Sequence, residues 1–250
     1  MNHRPVRVAM ATALTLLAAT SSTSLAQAGA TRGYMPLRWW HPVVTSAGVV
    51  ALFLVDQPVH DLVQDHRSGT LGAVSRFANG FTRPEVVGIA GGGALAAGLL
   101  LRNPVVTRTG AQVFAAYGLA SGAMLATKWA AGRSRPSVTP DDNMDWNWLG
   151  GSDDSALPSG SAAVVFSLAT TLADAVDRPA ASVVLYVAAG VNGWARLYAN
   201  RHWLSDVALG AMYGITAAKL VNGEWRVFGL RPPTASVGAE GVVVGYDLRW

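Results

Sequence analysis

The sequence contains no cysteine and is poor in charged residues. The absence of cysteine excludes disulfides, thiolate metal sites and a cysteine nucleophile. Charged residues make up 14% of the 250 positions and hydrophobic residues 51%, whereas an average soluble protein carries roughly 25% charged residues. This balance indicates either a membrane protein or a bundle of tightly packed helices made of small residues.

Basic residues are also few, and they are scattered. The formal net charge is +4, with no basic run and no basic segment interleaved with aromatic residues. A nucleic-acid-binding surface needs such a concentration of positive charge. We therefore expect no nucleic-acid partner.

The first 28 residues follow the three-part pattern of a secretory signal peptide. Arg4 and Arg7 precede an apolar run, Val8–Thr20, and a stretch of small residues ends in Ala26-Gln27-Ala28. This pattern predicts cleavage after Ala28 and export of the mature chain. The alternative is an uncleaved membrane anchor, for which the run is short, because a spanning helix needs about 20 apolar residues.

Residues 29–222 are predicted to form one all-α domain, a bundle of about six main helices. The segment from Asp56 to Gly80 has apolar residues at helical spacing among polar ones, and it predicts an amphipathic segment broken near Ser68-Gly69. The apolar runs are no longer than the minimum that a membrane-spanning helix needs. Their length therefore leaves open whether the helices cross a membrane. The six predicted apolar helices are Val43–Val55, Val86–Leu101, Gly110–Thr127, Gly160–Val176, Pro179–Tyr198 and Trp203–Val221.

Residues 223–250 form a tail of different character. From Val242 to Trp250 every second residue is aliphatic or aromatic. A period of two predicts a strand. Pairing with Thr234–Val237 across a turn at Gly238–Gly241 would make a short β-hairpin.

Lys128 and Arg135 belong to the first of three polar clusters that interrupt the apolar background. They are seven residues apart, with Arg133 between them, so on a helix they would face one direction two turns apart. Cations at a helix end beside a loop can bind an oxyanion. The alternative is a solvated positive helix end that complements the helix dipole.

The second cluster is Leu157–Ser161, LPSGS, directly before an apolar helix. Backbone N–H groups at a helix N-terminus can cradle an anion, and Ser159 can add a hydroxyl. The alternative is an ordinary helix N-cap with Pro and Gly in the preceding turn.

The third cluster lies within Ala195–Gly210 and consists of Arg196, His202 and Asp206. His202 and Asp206 are four residues apart, so on a helix they would share a face. A carboxylate beside an imidazole fixes its tautomer, which suits a nucleophilic or general-base histidine. The alternative is a polar pair that caps or decorates a helix.

Together the three clusters read Lys-x6-Arg-Pro, Pro-Ser-Gly and Arg-x5-His-x3-Asp, in that order at predicted helix ends. This combination resembles the type 2 phosphatidic acid phosphatase family, whose superfamily includes lipid phosphatases, soluble bacterial acid phosphatases and vanadium haloperoxidases. The resemblance covers roughly residues 43–221. It implies an all-helical bundle with a phosphatase site that uses no metal and no other cofactor.

The resemblance also implies a role for each motif residue. His202 would attack phosphorus and form a phosphohistidine, and Asp206 would orient and charge-balance His202. Phosphoryl transfer spreads negative charge over the equatorial oxygens, which cations and amides stabilise. The groups expected to bind these oxygens are Lys128, Arg135, Arg196, Ser159 and the Gly160 amide.

Ser161 is the main departure from the family pattern, which normally has a histidine there that protonates the leaving alcohol. General acid catalysis contributes about 10²–10⁴ in rate, and a serine hydroxyl is a poor acid near neutral pH. A leaving group that is already a good anion, such as a pyrophosphate product, would need less help. Ala195 replaces a serine that is frequent in the family, with little effect expected. The candidate replacement acids are Asp153, Asp154, His60 and His66.

The sequence thus predicts an exported phosphatase acting on a phosphomonoester or a lipid (pyro)phosphate. The alternatives are a catalytically impaired, phosphate-binding member of the family and a vanadate haloperoxidase, which also normally uses the missing histidine. We expect membrane association and a site that faces the periplasm. In six-span relatives the N-terminus is cytoplasmic, so a cleaved signal requires that the Val43 helix does not span or that the bundle lies in the periplasm.

Overall fold

Helices account for most of the chain in the computed structural model, which describes residues 35–37, 40–82, 84–149, 155–227, 234–238 and 241–245. The predicted all-α bundle is confirmed. The amphipathic segment breaks where predicted, because the Ser68 hydroxyl accepts a hydrogen bond from Leu71 N and starts a new helix. In chain order the helices are α1 (Trp40–Leu52), α2 (Asp56–Asp65), α3 (Gly69–Asn79), α4 (Pro84–Leu100), α5 (Pro104–Ala131), α6 (Gly160–Val176), α7 (Pro179–Tyr198) and α8 (Leu204–Asn222).

Four consecutive helices, α5 to α8, form the centre of the bundle and pack against one another. Each runs antiparallel to the one before it, so the end of α5, the start of α6, the end of α7 and the start of α8 meet at one end. We term this the polar end of the bundle. The fold therefore brings the three polar clusters of the sequence to one place, and the residues that mark this end are Lys128, Ser159, Arg196 and His202.

Two glycines one turn apart let α8 approach α6 closely. A Cβ atom at Gly210 would lie 2.2 Å from the Ser159 carbonyl oxygen, and one at Gly214 would lie 2.3 Å from the Ala163 carbonyl oxygen. Neither distance is possible for a real side chain, so only glycine permits this helix contact. The contact seats the start of α6 directly on α8.

The first three helices wrap the polar end. α1 and α2 are bent by 51° relative to each other at a short break, and α3 packs along the last turns of α7. Three side chains tie α3 to α7: Ser75 Oγ and Asn79 Nδ2 donate to the Ala195 carbonyl at 3.2 and 3.3 Å, and Asn192 Nδ2 donates to the Ala78 carbonyl at 2.7 Å. α4 packs against α5.

A parallel pair of short strands, β1 (Met35–Leu37) and β2 (Trp225–Val227), lies at the other end of the bundle. β2 follows the last residue of α8, so β1 is also held at the end opposite His202. No pattern in the sequence predicts this pair, because three residues are too few for a recognisable alternation.

The predicted C-terminal hairpin is confirmed as β3 (Thr234–Gly238) paired antiparallel with β4 (Gly241–Gly245). Its turn residues 239–240 and the segment 246–250 lie outside the described residues. The predicted signal peptide, residues 1–28, also lies outside them. The domain boundaries 1–28, 29–222 and 223–250 therefore stay predictions.

Length and composition would allow two helices, α7 and α8, to cross a membrane, or three segments if the bent pair α1–α2 counts as one. α4 and α6 are apolar but shorter. The outer face of α7 is apolar and uncovered by other described residues: Val183, Val184 and Val187 are 62%, 67% and 60% exposed. Apolar surface of this kind marks a contact with lipid or with another protein.

We expect Gly214→Ala to lower stability by about 1–3 kcal/mol, because the added methyl group forces α8 away from α6. Gly118→Ala in α5 is the matched control, since a Cβ there meets no heavy atom within 4 Å. That control should be neutral or stabilising by up to about 1 kcal/mol, as expected for glycine in a helix. Thermal unfolding of the full chain in detergent measures both, and equal melting temperatures would contradict the close contact.

Candidate active site

A short segment, Ser155–Ser159, lies at the centre of the polar end. Its residues are buried, and four surrounding groups hold its backbone in place. The segment therefore joins all three sequence clusters before it enters α6. The four hydrogen bonds are Lys128 Nζ to the Ser155 carbonyl, Ala156 N to the Arg133 carbonyl (2.6 Å) and Ser159 N to the Asp206 carbonyl (2.9 Å), and His202 Nδ1 to the Ala156 carbonyl (2.8 Å).

Lys128 and Arg135 reach this end from different kinds of structure. Lys128 is in the last turn of α5, but the helix ends at Ala131 and Gly132 adopts a left-handed conformation with φ of 58°. A Cβ at Gly132 would lie 1.9 Å from the Asn147 carbonyl oxygen, so the turn requires glycine. The prediction that Lys128 and Arg135 share a helical face was wrong, because Arg135 lies in the loop beyond the helix.

The start of α6 combines a helix cap with an anion cradle. Ser159 is the N-cap, and its fully buried hydroxyl accepts a hydrogen bond from Ala162 N at 3.3 Å. Gly160 and Ser161 are the first two helical residues, whose N–H groups have no carbonyl partner within the helix. The two interpretations of the LPSGS cluster are thus compatible: the Ser159 hydroxyl caps the helix, and the Gly160 and Ser161 amides remain suited to bind an anion.

Arg196 is held in the last turn of α7. Its Nη1 donates to Asn79 Oδ1 at 2.8 Å. Its Nε is buried and finds no hydrogen-bond partner among the described residues. Arg135 and Arg201 lie near enough to act on Arg196 as like charges. Positive groups from the loop after α5 and from α7 therefore converge here, as a bound oxyanion would require.

His202 lies just before α8, not on it. Trp203 is the N-cap of the helix and Asp206 is in its first turn, so the predicted shared helical face was wrong for this pair. Nδ1 of His202 is 2.8 Å from the Ala156 carbonyl oxygen. Because a carbonyl only accepts hydrogen bonds, Nδ1 carries the proton of the neutral ring, and Nε2 keeps its lone pair.

Asp206 lies near His202 without a direct hydrogen bond. Asp206 Oδ2 is 3.8 Å from His202 Nδ1. That same oxygen accepts from Trp203 N at 2.7 Å, and Oδ1 accepts from Arg133 Nη1 at 2.8 Å. The carboxylate therefore caps α8 and pairs with Arg133, and it acts on His202 through its charge.

Burial lowers the pKa of His202 to about 4, because removing the ring from water disfavours its charged form. The Asp206 carboxylate opposes this effect, whereas Arg196 and Lys128 add to it by repulsion. At neutral pH the ring is consequently uncharged. A neutral imidazole is the form that can act as a nucleophile.

The sequence reasoning missed Asp56, and it grouped Arg133 with the cations of the first cluster without foreseeing its carboxylate partners. The Arg133 guanidinium is fully buried and lies against the rings of Phe53, Trp146 and Trp203, with centroids 4.6, 5.3 and 5.4 Å away. It pairs with both Asp56 and Asp206, which sets it apart from Lys128, Arg135 and Arg196, the predicted phosphate-binding cations. The available signal was Asp56 itself, a carboxylate directly after an apolar run of thirteen residues.

The candidate acids that could replace the family histidine at position 161 have different surroundings. His60 is buried, its Nε2 is 3.0 Å from Asn200 Oδ1, and its ring centroid is 5.2 Å from that of Trp203. His66 is exposed, and its Nδ1 bonds the Leu62 carbonyl of its own helix. Asp153 and Asp154 lie outside the described residues. His60 is therefore the candidate nearest to the His202 loop by these contacts.

Within the described ranges, no group of three or more His, Asp or Glu side chains is arranged to hold a metal ion. The metal-free chemistry implied by the resemblance stays a prediction.

Residues 109–225 match the PAP2 superfamily, the type 2 phosphatidic acid phosphatases. This segment includes all three sequence clusters, and the resemblance stated from them is confirmed. A lipid A 1-phosphatase of Porphyromonas gingivalis is 35% identical over 109 residues, which are 43% of this chain. Those residues are 21% of that protein, so the chain spans about a fifth of the length of this curated relative.

Two solved structures share the fold. LpxE of Aquifex aeolicus superposes with a TM-score of 0.53 and 21% identity, over 67% of this chain and 94% of that one. The first transmembrane PAP2 type phosphatidylglycerolphosphate phosphatase from Bacillus subtilis gives a TM-score of 0.57 and 18% identity, over 74% and 95%. Both superpositions cover a larger share of this chain than the segment that matches the family.

The low pKa of His202 predicts that stability decreases as the pH falls from about 6.5 to about 4. In that range a histidine of the unfolded chain takes up a proton while folded His202 does not, so acid favours unfolding. This difference in proton uptake contributes roughly 3 kcal/mol to the free energy of unfolding. The contribution is fully present above pH 6.5 and is lost as the pH falls to the folded-state pKa. Melting temperature against pH measures it; His202→Gln should flatten this part of the curve, and His66→Gln should not.

Proposed function

Since residues 109–225 match the PAP2 superfamily, we propose that the chain is a phosphatase acting on a lipid phosphate or pyrophosphate. One observation carries the proposal: a buried imidazole, that of His202, donates its Nδ1 proton to a carbonyl and lies within the field of Arg196 and Lys128. A neutral histidine with an unprotonated Nε2 beside cations is equipped to attack a phosphorus atom whose oxygens those cations bind.

In the first step Nε2 of His202 attacks phosphorus. An N–P bond forms, the bond from phosphorus to the leaving oxygen breaks, and the leaving group departs with the electron pair. The negative charge on the equatorial oxygens is stabilised by Lys128, Arg135 and Arg196 and by the amides at the start of α6. As the N–P bond forms, the ring becomes positive, and the nearby Asp206 carboxylate stabilises that charge.

In the second step a water molecule attacks the phosphohistidine. The N–P bond breaks, the phosphoryl group leaves as dihydrogen phosphate with the oxygen and both protons of the water, and the neutral imidazole is restored with its Nδ1–H still donating to the Ala156 carbonyl. The same cations stabilise both steps, because both pass through a five-coordinate phosphoryl group with similar charge.

Two observations support a lipid substrate. The matched relative is a lipid A 1-phosphatase, and large apolar side chains are exposed next to the candidate site. Trp129, Trp148 and Leu149 are 59%, 66% and 63% exposed. Leu149 N bonds the Ala130 carbonyl, so the loop tip lies beside the end of α5. Exposed tryptophans at the ends of apolar helices are typical of a membrane interface. We therefore propose a membrane-associated enzyme whose site faces the exported side.

We expect the purified chain in detergent to release phosphate from dioctanoyl phosphatidic acid, farnesyl pyrophosphate or p-nitrophenyl phosphate. His202→Ala should lower turnover by roughly 10³ or more, since it removes the nucleophile. His66→Ala, the exposed histidine of α2, is the matched control and should retain wild-type turnover. Acid-labile, base-stable labelling of wild type but not of His202→Ala would identify the phosphohistidine; activity that survives His202→Ala excludes this mechanism.

Ser161 supports a second candidate, a family member that binds phosphate but turns over slowly because it lacks the acid. Ser161 is the second residue of α6, where its side chain is partly exposed. A histidine at this position would restore a proton donor beside the cradle. The second candidate predicts phosphate binding with little turnover in the wild type.

Ser161→His should raise turnover of dioctanoyl phosphatidic acid at least about tenfold, because an alkoxide leaving group needs a proton. It should change turnover of p-nitrophenyl phosphate by less than about threefold, since that leaving group is already a stable anion. Ser161→Asn is the control for side-chain size. Equal gains on both substrates, or a gain with Asn, would show that the serine does not limit protonation.

A further inference from the structure

Asp56 is a buried carboxylate that comes from outside the segment matched by the family, yet it reaches the start of α8. It is 1% exposed. Its Oδ1 accepts from Ser205 N at 2.8 Å, and its Oδ2 accepts from Ser205 Oγ at 2.6 Å and from Arg133 Nη2 at 2.7 Å. These contacts link the α1–α2 bend to the residue immediately before Asp206.

Arg133 completes this link on the other side. Its Nη1 donates to Ser205 Oγ at 2.7 Å and to Asp206 Oδ1 at 2.8 Å. The Asn143 carbonyl accepts from its Nε and Nη2 at 3.0 and 2.6 Å. The side chains of Asp56, Arg133, Ser205 and Asp206 are all buried. Water therefore cannot replace the partners of the guanidinium, and its planar geometry fixes the direction of both carboxylates.

The position of the Asp206 carboxylate depends on these bonds. Arg133 holds one of its oxygens and Trp203 N holds the other, which leaves the carboxylate 3.8 Å from His202 Nδ1. A carboxylate that could rotate would compete with the Ala156 carbonyl for the Nδ1 proton. We propose that Asp56 and Arg133 are a positioning pair that fixes the Asp206 carboxylate, and through it the His202 ring, for attack.

This proposal rests on the proposed function, because it takes His202 as the attacking group. The effect of the two charges on the protonation of His202 does not depend on that function. Arg133 partly neutralises Asp206, and Asp56 in turn partly neutralises Arg133. Loss of the Asp56 charge therefore leaves Asp206 more fully neutralised, and loss of the Arg133 charge leaves two unbalanced carboxylates near His202. Other titratable groups around the His202 loop stay the same in both variants: Lys128 on α5, Arg196 on α7, and His60 on α2, which packs against Trp203.

The test compares Asp56→Asn with Arg133→Gln in the detergent-solubilised full chain. Histidine-selective ¹⁵N NMR follows the titration of each ring, and His202→Gln identifies the His202 signal. Asp56→Asn should lower the pKa of His202 and Arg133→Gln should raise it, each by about 0.5 to 1 pH unit. Asp65→Asn, an exposed carboxylate on the same helix, is the control and should leave the titration unchanged.

Activity gives the second readout. With dioctanoyl phosphatidic acid as substrate, Asp56→Asn should lower kcat about tenfold or more and change KM by less than about twofold, since binding groups are untouched. The acid limb of its pH profile should move in the same direction as the His202 titration. A pair that only stabilises the fold would instead lower the melting temperature and the folded fraction and leave kcat per folded molecule unchanged; that result overturns the proposal.

Arg133→Gln leaves two buried carboxylates unpaired, so a folded state is best secured by the double variant Asp56→Asn/Arg133→Gln, which removes the pair together. Its His202 pKa should return to within about 0.3 pH unit of wild type, because opposite changes cancel. A double variant that shifts as far as either single variant contradicts the proposal. If wild type hydrolyses no probe, the proposed function fails, and the NMR titration still shows whether the pair is coupled to His202.

Discussion

The buried guanidinium of Arg133 is the interaction on which the polar end depends. Removing a charge from water is costly, and only well-placed partners offset that cost. Here the partners come from the start of α2, the start of α8 and the loop after α5, so these three parts must meet before the charge is balanced. The Ser155–Ser159 segment is then bonded to the Arg133 backbone and to the loop before α8. The proposed phosphate-binding cations, the start of α6 and His202 consequently share one rigid support.

Much of this architecture follows from local patterns in the sequence. Apolar runs bounded by Pro, Gly and polar residues predicted the bundle, because burial of such runs decides helix position. The three motifs predicted which residues meet. Helical spacing failed for Arg135 and His202, since Gly132 ends α5 early and Trp203 starts α8 late. The Asp56–Arg133 pair joins residues 77 positions apart, and no periodicity relates positions so distant.

The two halves of the proposed reaction are unequally equipped. Attack is supported by an uncharged His202, whose proton is held by a backbone carbonyl that no substitution of a side chain can remove. Departure of the leaving group has only Ser161 at the position of the usual acid. A site of this kind favours substrates whose leaving groups are stable as anions, which distinguishes pyrophosphates from simple phosphomonoesters by chemistry rather than by pocket shape.

The β1–β2 pair has a consequence for the orientation of the chain in a cell. It joins residues 35–37 to residues 225–227 at the end opposite His202. If the bundle crosses a bilayer from end to end, both strands lie in one compartment and the reacting phosphate in the other. A site on the exported side then requires residue 35 to remain in the cytoplasm, which cleavage after Ala28 and release of the new N-terminus would prevent. Export of the N-terminus and an exported site are compatible only for a bundle that does not cross the bilayer.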